Sequence, residues 1–241
     1  MSTVAVIQAR HTSTRLPGKM LLALADIPVI EHIVRRVRAV ASIDRVCISI
    51  PVGDSQAPLA DFITTLEGVH LSRGPEEDLL TRFAIAAEET GADVIVRLWG
   101  DCPAIDPALI SVMLDSFTRS KADWAYLNDQ SGYPLGNECQ AISRKALGIA
   151  AAEATSDVDL EAVHSYLDRI PARFSKCSVV RPGSAGQSKL QMLLDTADDY
   201  RKLGTIFDTL YPANPLFGLA ETEALAAREP ELFRPGNQNE L

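Results

Sequence analysis

The chain has 241 residues, of which 46% are hydrophobic and 6% aromatic, a composition typical of a globular protein and unlike that of disordered or fibrous chains. Lysine and arginine number 23 against 32 aspartates and glutamates, and the net charge of −9 argues against nucleic acid or an anionic membrane as a partner. The four cysteines lack metal-binding spacing, which predicts a reducing, cytoplasmic compartment. The N-terminal segment lacks the basic start of a signal peptide, and no apolar run predicts a membrane span.

The first half of the chain alternates predicted strands with predicted helices. Apolar, β-branched runs predict strands at residues 4–7, 45–50, 69–71 and 93–98. Helical spacing of apolar residues predicts helices over 28–41, through 59–66, over 76–87 and from 107 onward. On the first helix, Arg35, Arg36 and Arg38 are expected to form a solvated face, and Ser72 to Pro75 is expected to be a loop. This alternation predicts one α/β domain over residues 1–241, with a mostly parallel sheet and helices on both faces.

The pattern weakens after about residue 120. Strands are predicted at residues 122–127, 139–142, 173–180 and 190–194. Helices are predicted at residues 144–154, 160–169 and, as the last element, through 200–207. Arg181 to Ser188, rich in glycine and serine, is predicted to be a flexible loop.

The strongest chemical signal is the loop Ala9-Arg-His-Thr-Ser-Thr-Arg-Leu-Pro-Gly-Lys19, which follows the first strand. It lies at the carboxyl edge of the predicted sheet, where open α/β folds bind ligands. The cations Arg10, Arg15 and Lys19 could neutralise a triphosphate, hydroxyls such as that of Ser13 could contact its oxygens, and Gly18 would allow close backbone approach. The spacing matches neither the Rossmann nor the Walker glycine pattern, so phosphate binding and a merely basic loop both remain open on these residues alone.

Two aspartates follow other predicted strands. Asp101 comes after the strand that ends at Leu98, where a carboxylate could hold Mg²⁺, although a cap or loop-stabilising aspartate is an equal alternative. Asp195 follows the apolar residues 190–194, and it is also a good helix start. Asp106 is expected to cap the helix that Pro107 opens.

Four blocks of the sequence carry a family resemblance. They are the Ala9 to Lys19 loop, Leu71 to Phe83, Arg97 to Pro107, and Leu194 to Tyr200, and Pro134-Leu-Gly136 and Tyr211-Pro-Ala-Asn-Pro215 add to them. In these blocks and in their order the chain resembles the sugar-acid cytidylyltransferases, which include the CMP-KDO and CMP-sialic acid synthetases. It is most similar to the SpsF-type enzymes of spore coat polysaccharide biosynthesis.

The resemblance implies a Rossmann-like nucleotide-diphospho-sugar transferase sheet and a reaction in which CTP gives its CMP moiety to a small carbohydrate-type acceptor and loses pyrophosphate. It implies that Arg10, Lys19 and Asp101 are catalytic and that Mg²⁺ binds Asp101 and Asp195. The nucleotide contacts it implies come from Ala9, Arg10, Ser13, Arg15, Gly18, Lys19, Arg73 and Asp78. It also implies a homodimer formed through an inserted lobe of about residues 134–190.

Three segments depart from the family's pattern, and all concern the acceptor side: Trp99, Asn137 to Gln140, and Ala162 to Ser165. We therefore expect CTP binding to be retained and the acceptor to differ from the common sugar acids. Two other readings stay open. One is a nucleotide-sugar-dependent glycosyltransferase, for which Asp157-Val-Asp159 is the only Asp-x-Asp motif and lies at a predicted helix entry; the other is a non-catalytic nucleotide-binding homologue.

Overall fold

The computed structural model of the chain describes residues 1–184, 188 and 190–233. Its strands are β1 Thr3–Gln8, β2 Ala23–Leu24, β3 Ile27–Pro28, β4 Arg45–Pro51, β5 Val69–Gly74, β6 Val94–Trp99, β7 Trp124–Leu127, β8 Cys139–Ser143 and β9 Lys176–Ser178. Seven of them form one sheet in the order β5-β4-β1-β6-β8-β7-β9, and β2 pairs with β3 separately. Within the described residues, β8 alone runs antiparallel to its neighbours in the large sheet. The mostly parallel α/β fold is therefore confirmed.

Helices cover both faces of the large sheet. They are α1 Val29–Arg38, α2 Ala57–Thr64, α3 Leu79–Thr90, α4 Pro107–Ser120, α5 Arg144–Glu153, α6 Asp157–Glu161, α7 Ser165–Arg169, α8 Ala197–Leu210 and α9 Leu219–Arg228. Alternate residues of β1 point to opposite faces, so Val6 packs in one apolar layer with Phe83 of α3, and Ile7 in the other with Ile33 of α1 and Phe207 of α8. A strand buried on both sides reads as a continuous apolar run, which is why β1 was recognisable in the sequence.

The strand order changes direction beside β1, and this change positions the site. β4 and β5 lie on one side of β1, whereas the next sheet strand in the chain, β6, lies on the other. Just beyond the paired ends of β1 and β6, the Gly100 amide donates to the Gln8 carbonyl over 2.8 Å. A Cβ at Gly100 would lie 2.8 Å from that same oxygen, so only glycine allows this close approach. Open α/β sheets bind ligands at such a switch point, outside the carboxyl ends of the strands.

Several predicted boundaries in the first half are wrong by a few residues. Ser72 to Gly74, expected in a loop, belong to β5 because they pair with Ser49 to Pro51. The helix expected to open at Glu76 begins at Leu79, because the Asp78 carboxylate caps it by accepting from the Thr81 amide over 2.8 Å. The expected cap of α4 is confirmed, since Asp106 accepts from the Ala108 amide over 2.8 Å.

The second half holds larger corrections. The helix predicted at 160–169 is two short helices, α6 and α7, separated where Ala162 is extended (φ −119°, ψ 92°). The strand predicted at 173–180 shortens to β9. Residues 190–194 are not a strand: Met192 and Leu194 are buried, but their amides donate to loop carbonyls, so their apolar pattern reflects burial without a ladder. The helix expected to be last is followed by α9. The sequence of α9 mixes alanines with charged residues and has no strong apolar period, so it was not predicted.

Arg36 contradicts the expectation of a solvated arginine face on α1. Its side chain is 1% exposed, and its guanidinium lies over the rings of Phe207 and Phe217, 5.7 and 4.4 Å from their centroids. Nη1 also donates to the Phe217 carbonyl over 2.7 Å. An arginine can be buried in this way because its stem is apolar and its planar head stacks on aromatic rings.

Residues 134–190 contribute β8 and β9 to the large sheet and α5 to α7 to its cover. The part they would play in a dimer stays a prediction. In the predicted loop Arg181 to Ser188, residues 185–187 lie outside the described residues. None of the described helices combines the length and the apolar character that crossing a membrane requires.

Candidate active site

A cavity of about 440 Å³ opens at the carboxyl edge of β1 and β6. It brings together seven residues that the sequence or its family resemblance singled out: Ala9, Arg10, Ser13, Arg15, Lys19, Asp101 and Asp195. They come from three parts of the chain, namely the loop after β1, the turn after β6 and the segment before α8. The expected convergence of the first loop with the two aspartates is therefore present in the fold.

The Lys19 ammonium occupies the centre of this cluster. It lies 3.2 Å from a carboxylate oxygen of Asp101 and 3.4 Å from one of Asp195, and it donates to the Leu194 carbonyl over 2.9 Å. The Lys19 side chain is only 9% exposed, and the two carboxylates are 27% and 17% exposed. A partly buried ammonium with two carboxylates and a carbonyl around it is held in one place. The Leu194 amide in turn donates to the Asp101 carbonyl over 2.8 Å, which ties the two aspartate-bearing segments together.

The two arginines of the loop reach other carboxylates at the cavity. Arg15 pairs with the second oxygen of Asp195 over 2.6 Å, and Arg10 lies 3.9 Å from Glu76 just before α3. Both guanidinium groups are more than half exposed, so these surface pairs are weak and can be exchanged for a stronger anion. A triphosphate would compete for both arginines at once.

The backbone of the loop is shaped by its own hydrogen bonds. The His11 carbonyl accepts from the amides of Ser13 (3.1 Å) and Gly18 (3.2 Å), and Gly18 has φ +68°, a conformation that favours glycine. Across the part of the chain that the structure describes, the amides of Thr14 and Arg15 have no protein acceptor, and both residues line the cavity. Free amides in a turn are donors that phosphate oxygens accept.

Three residues implied as nucleotide contacts do not line the cavity. Arg73 lies exposed on β5, Asp78 caps α3, and Gly18 acts through the shape of the loop. Their contacts with a nucleotide stay predictions. The amide of Ala9, which does line the cavity, is already used by the Ser49 carbonyl at 3.0 Å.

Some cavity residues were missed by reasoning from the sequence. Gln8, Arg82 and Glu161 line the cavity from β1, α3 and the end of α6. Gln8 carries a usable signal, because it is a polar residue at the carboxyl end of a buried strand. Arg82 carries another, because it sits beside the apolar stripe of α3, where a charge is costly unless it has a partner. Glu161 has no such signal, since the break between α6 and α7 was itself not predicted.

The carboxylates of Asp101 and Asp195 fit a divalent cation. Both approach one ammonium within 3.5 Å, so they already converge on a single positive charge. In the described residues no cluster of three or more candidate metal ligands forms. Mg²⁺ is commonly held by one or two carboxylates together with substrate phosphates, and this donor set suits it.

The Asp-x-Asp motif expected of a glycosyltransferase is used structurally. Asp159 is buried in the first turn of α6, where its carboxylate accepts from the hydroxyl of Ser156 and pairs with Arg169. It does not line the cavity. A glycosyltransferase would need this motif at its metal site, and Asp159 is instead used to hold α6 and Arg169.

Comparison with known proteins agrees with the geometry. The chain matches the family described as cytidylyltransferase over residues 4–225. It is similar to the spore coat polysaccharide biosynthesis protein SpsF of Bacillus subtilis (strain 168), with 29% identity over 206 residues that cover 84% of this chain and 85% of the relative.

Two solved structures share the fold. A cytidylyltransferase from Leptospira borgpetersenii serovar Hardjo-bovis superposes with a TM-score of 0.88 at 23% identity, covering 100% of this chain and 99% of that one. A CMP:2-keto-3-deoxy-manno-octonic acid synthetase, solved in complex with CTP, has a TM-score of 0.64 at 19% identity and covers 86% of this chain and 99% of its own.

Proposed function

The chain belongs to the cytidylyltransferase family, and on that premise we propose that it transfers CMP from CTP to an oxygen of a sugar acid or related small polar acceptor, with Mg²⁺ and with release of pyrophosphate. The observation that carries the proposal is the meeting of Asp101 and Asp195 on the Lys19 ammonium, beside the basic loop and inside one cavity. The KDO synthetase that shares the fold was solved with CTP, which supports this nucleotide as the donor.

In the proposed reaction the acceptor oxygen attacks the α-phosphorus of CTP. A bond forms between that oxygen and the phosphorus, the bond from the α-phosphorus to the bridging oxygen breaks, and pyrophosphate leaves with the electron pair. The acceptor's proton, if its oxygen is a hydroxyl, passes to solvent or to a carboxylate at the cavity. Nucleotidyl transfer demands mainly positioning and charge stabilisation, which a preorganised set of cations supplies.

Each residue of the first loop would have its own role in holding phosphate or stabilising its charge. Arg10 and Arg15 would leave Glu76 and Asp195 to hold phosphate oxygens, and Ser13 would add a hydroxyl contact. Lys19 would stay near the transferring phosphate and stabilise the charge that develops on the leaving pyrophosphate, since its carbonyl partner Leu194 anchors it. Asp101 and Asp195 would hold Mg²⁺ when it is bound, and the cation would supply Lewis-acid stabilisation of the phosphate charge.

The acceptor side differs from the family's pattern at Trp99 and in residues 137–140 and 162–165. Trp99 ends β6 directly before Gly100 and Asp101, and its ring lies 4.5 Å from the Arg97 guanidinium. We expect such a change to alter which acceptor fits. Assembly as a homodimer and a cytoplasmic location complete the proposal, in keeping with the scattered thiols noted above.

The test is a pyrophosphate-release screen with each nucleoside triphosphate against acidic sugars, phosphosugars and phosphonates. We expect release with CTP, Mg²⁺ and at least one acceptor, and only weak release with KDO or a sialic acid. Asp195→Asn should lower the rate by about 10²-fold or more. Asp198→Asn is the matched control, because Asp198 lies three residues away, is 64% exposed and pairs with Arg201 outside the cavity. CTP binding without turnover on any acceptor would instead support a non-catalytic homologue.

A further inference from the structure

Two arginines are buried beside the cavity without carboxylate partners. Arg82 of α3 lines the cavity and is 6% exposed, and Arg97 of β6 is 4% exposed. In the described part of the chain neither guanidinium lies within ion-pair distance of a carboxylate, although Glu76 is near enough to act on Arg82 electrostatically. Nη1 of Arg82 donates to the Pro75 carbonyl over 3.3 Å, and its Nε has no hydrogen-bond acceptor among the described residues.

Arg97 belongs to a row of polar side chains, with Gln140 and Tyr126, on a sheet face that is otherwise apolar. Its backbone is level with Val6 of β1 and with Gln140 of β8, and Gln140 is level with Tyr126 of β7. The guanidinium donates to the side-chain carbonyls of Gln8 (2.9 Å) and Gln140 (3.3 Å). Gln8 belongs to the cavity wall, so Arg97 is directly behind that wall.

Aromatic and amide groups orient this row. The Arg97 guanidinium lies 4.5 Å from the ring centroid of Trp99 and 5.7 Å from that of Phe83. Since the Gln140 carbonyl accepts from Arg97, its amide nitrogen is free to donate to Nδ1 of His164 over 3.2 Å. Three of these groups, Trp99, Gln140 and His164, belong to the segments that depart from the family's pattern.

The positive charges of Arg97 and Arg82 have no carboxylate partner among the described residues. Burial, and after it the neighbouring Arg82, lower the pKa of Arg97 to about 9, and burial lowers the pKa of Arg82 to about 10. Burying a charge is costly unless it is paired, and buried arginines normally meet a carboxylate. Arg82 and Arg97 lie close enough to repel each other, and each donates only to neutral oxygens. An incoming oxyanion would therefore stabilise both guanidinium groups.

We propose that Arg82 and Arg97 form a subsite for the acidic group of the acceptor, a carboxylate or a phosphate, with Gln8 and Gln140 as positioning residues. This inference rests on the proposed function, which supplies the reaction, and it adds the residues that select the acceptor. The row on Arg97 faces α3 and shares a layer with Phe83, whereas the Lys19 cluster joins Met20 and Leu194 on the opposite layer. The acidic group of the acceptor and the triphosphate would thus bind in one cavity, each on a different side of the sheet.

The experiment measures binding of small anions in the presence of Mg²⁺ and saturating α,β-methylene-CTP, which occupies the triphosphate loop but is not cleaved at the α-phosphate. The probes are pyruvate, inorganic phosphate and the neutral analogue pyruvamide, titrated by calorimetry at constant ionic strength. We expect saturable binding of pyruvate or phosphate and none of pyruvamide, and which anion binds tells a carboxylate from a phosphate acceptor. Arg82→Met and Arg97→Met should each weaken that binding by about tenfold or more and leave the affinity for the nucleotide analogue within about twofold.

Arg36→Met is the matched control, because Arg36 is as buried as Arg97 but does not line the cavity or touch its wall. This variant should retain anion binding. Equal binding by wild type and Arg97→Met would overturn the proposal. A loss of nucleotide affinity in Arg97→Met would overturn it as well, since it would assign the subsite to CTP.

A second measurement, the fluorescence of the wild-type protein, does not depend on whether the arginine variants fold. Because the Trp99 ring lies 4.5 Å from the Arg97 guanidinium, a bound anion should change the fluorescence of Trp99, and Trp99→Phe should remove that change. Bound pyruvate or phosphate without such a change would contradict the proposal. If the CTP analogue does not bind but the anions do in its absence, the proposed function fails and the anion subsite stands.

Discussion

Replacing Lys19 with methionine tests the centre of the site. The change keeps an unbranched apolar stem but removes the ammonium that lies 3.2 Å from Asp101, 3.4 Å from Asp195 and 2.9 Å from the Leu194 carbonyl. The carbonyl loses its donor, which costs about 1–3 kcal/mol, and two partly buried carboxylates lose their shared counter-charge. Arg15 still neutralises Asp195, which limits the loss. We expect the free energy of unfolding to fall by about 3 kcal/mol.

For a chain of this length that loss corresponds to a fall in Tm of roughly 6–12 °C. Loss of the charge that we propose to stabilise the leaving pyrophosphate should lower kcat by about 10²- to 10³-fold. Calorimetric melting and a coupled pyrophosphate assay measure the two effects. Lys176→Met is the control, because Lys176 forms one exposed pair with Asp168 away from the cavity, and it should change neither value appreciably. An unchanged kcat in a folded Lys19→Met protein would refute the assigned role.

Three further outcomes follow from the packing and from two histidines with lowered pKa values. Gly100→Ala should lower kcat by about 10²-fold in a protein that still folds, because the new Cβ would lie 2.8 Å from the Gln8 carbonyl and must displace the turn that carries Asp101, a proposed metal ligand; full activity would disprove this. Arg36→Met should lower the free energy of unfolding by about 2–3 kcal/mol by leaving a buried carbonyl without its donor, with activity per folded molecule retained; an unchanged denaturation midpoint would count against it. Burial lowers the pKa of both His32 and His164 to about 4 from 6.5, so the unfolded chain binds more protons than the folded one between these values, and stability should fall as pH falls from about 6.5 to about 4. Urea titrations across that range check the sign, and His32→Gln should reduce the slope, whereas a stability independent of pH would contradict the assignment.

Local pattern singled out the basic loop that lines the cavity. The loop after β1 concentrates three cations, and its position after a continuous apolar run placed it at a carboxyl edge without any knowledge of the tertiary fold. Asp106 was predicted as a helix cap for a similar reason, because capping depends on a few neighbouring residues. Family resemblance, rather than spacing, was needed to join Asp101 and Asp195 to that loop.

Long-range packing set the features that the sequence left open or misassigned. Arg36 follows the period of a solvated helix face, yet α8 and the segment before α9 cover it with aromatic rings that lie far away in the chain. Residues 190–194 have the apolar pattern of a strand, yet the amides of Met192 and Leu194 donate to the loop carbonyls of Leu135 and Asp101.

The sequence by itself determined the fold class, the basic loop and the family, because each depends on short-range period or on an ordered set of motifs. Only the tertiary structure decided that Arg97 meets Gln140 behind the cavity wall and that Arg82 lines the cavity. That meeting depends on the register of neighbouring strands and on the seating of α3, which no local pattern encodes. The net charge of −9 describes the whole surface, and the fold sets the cationic balance of the site by bringing distant arginines together.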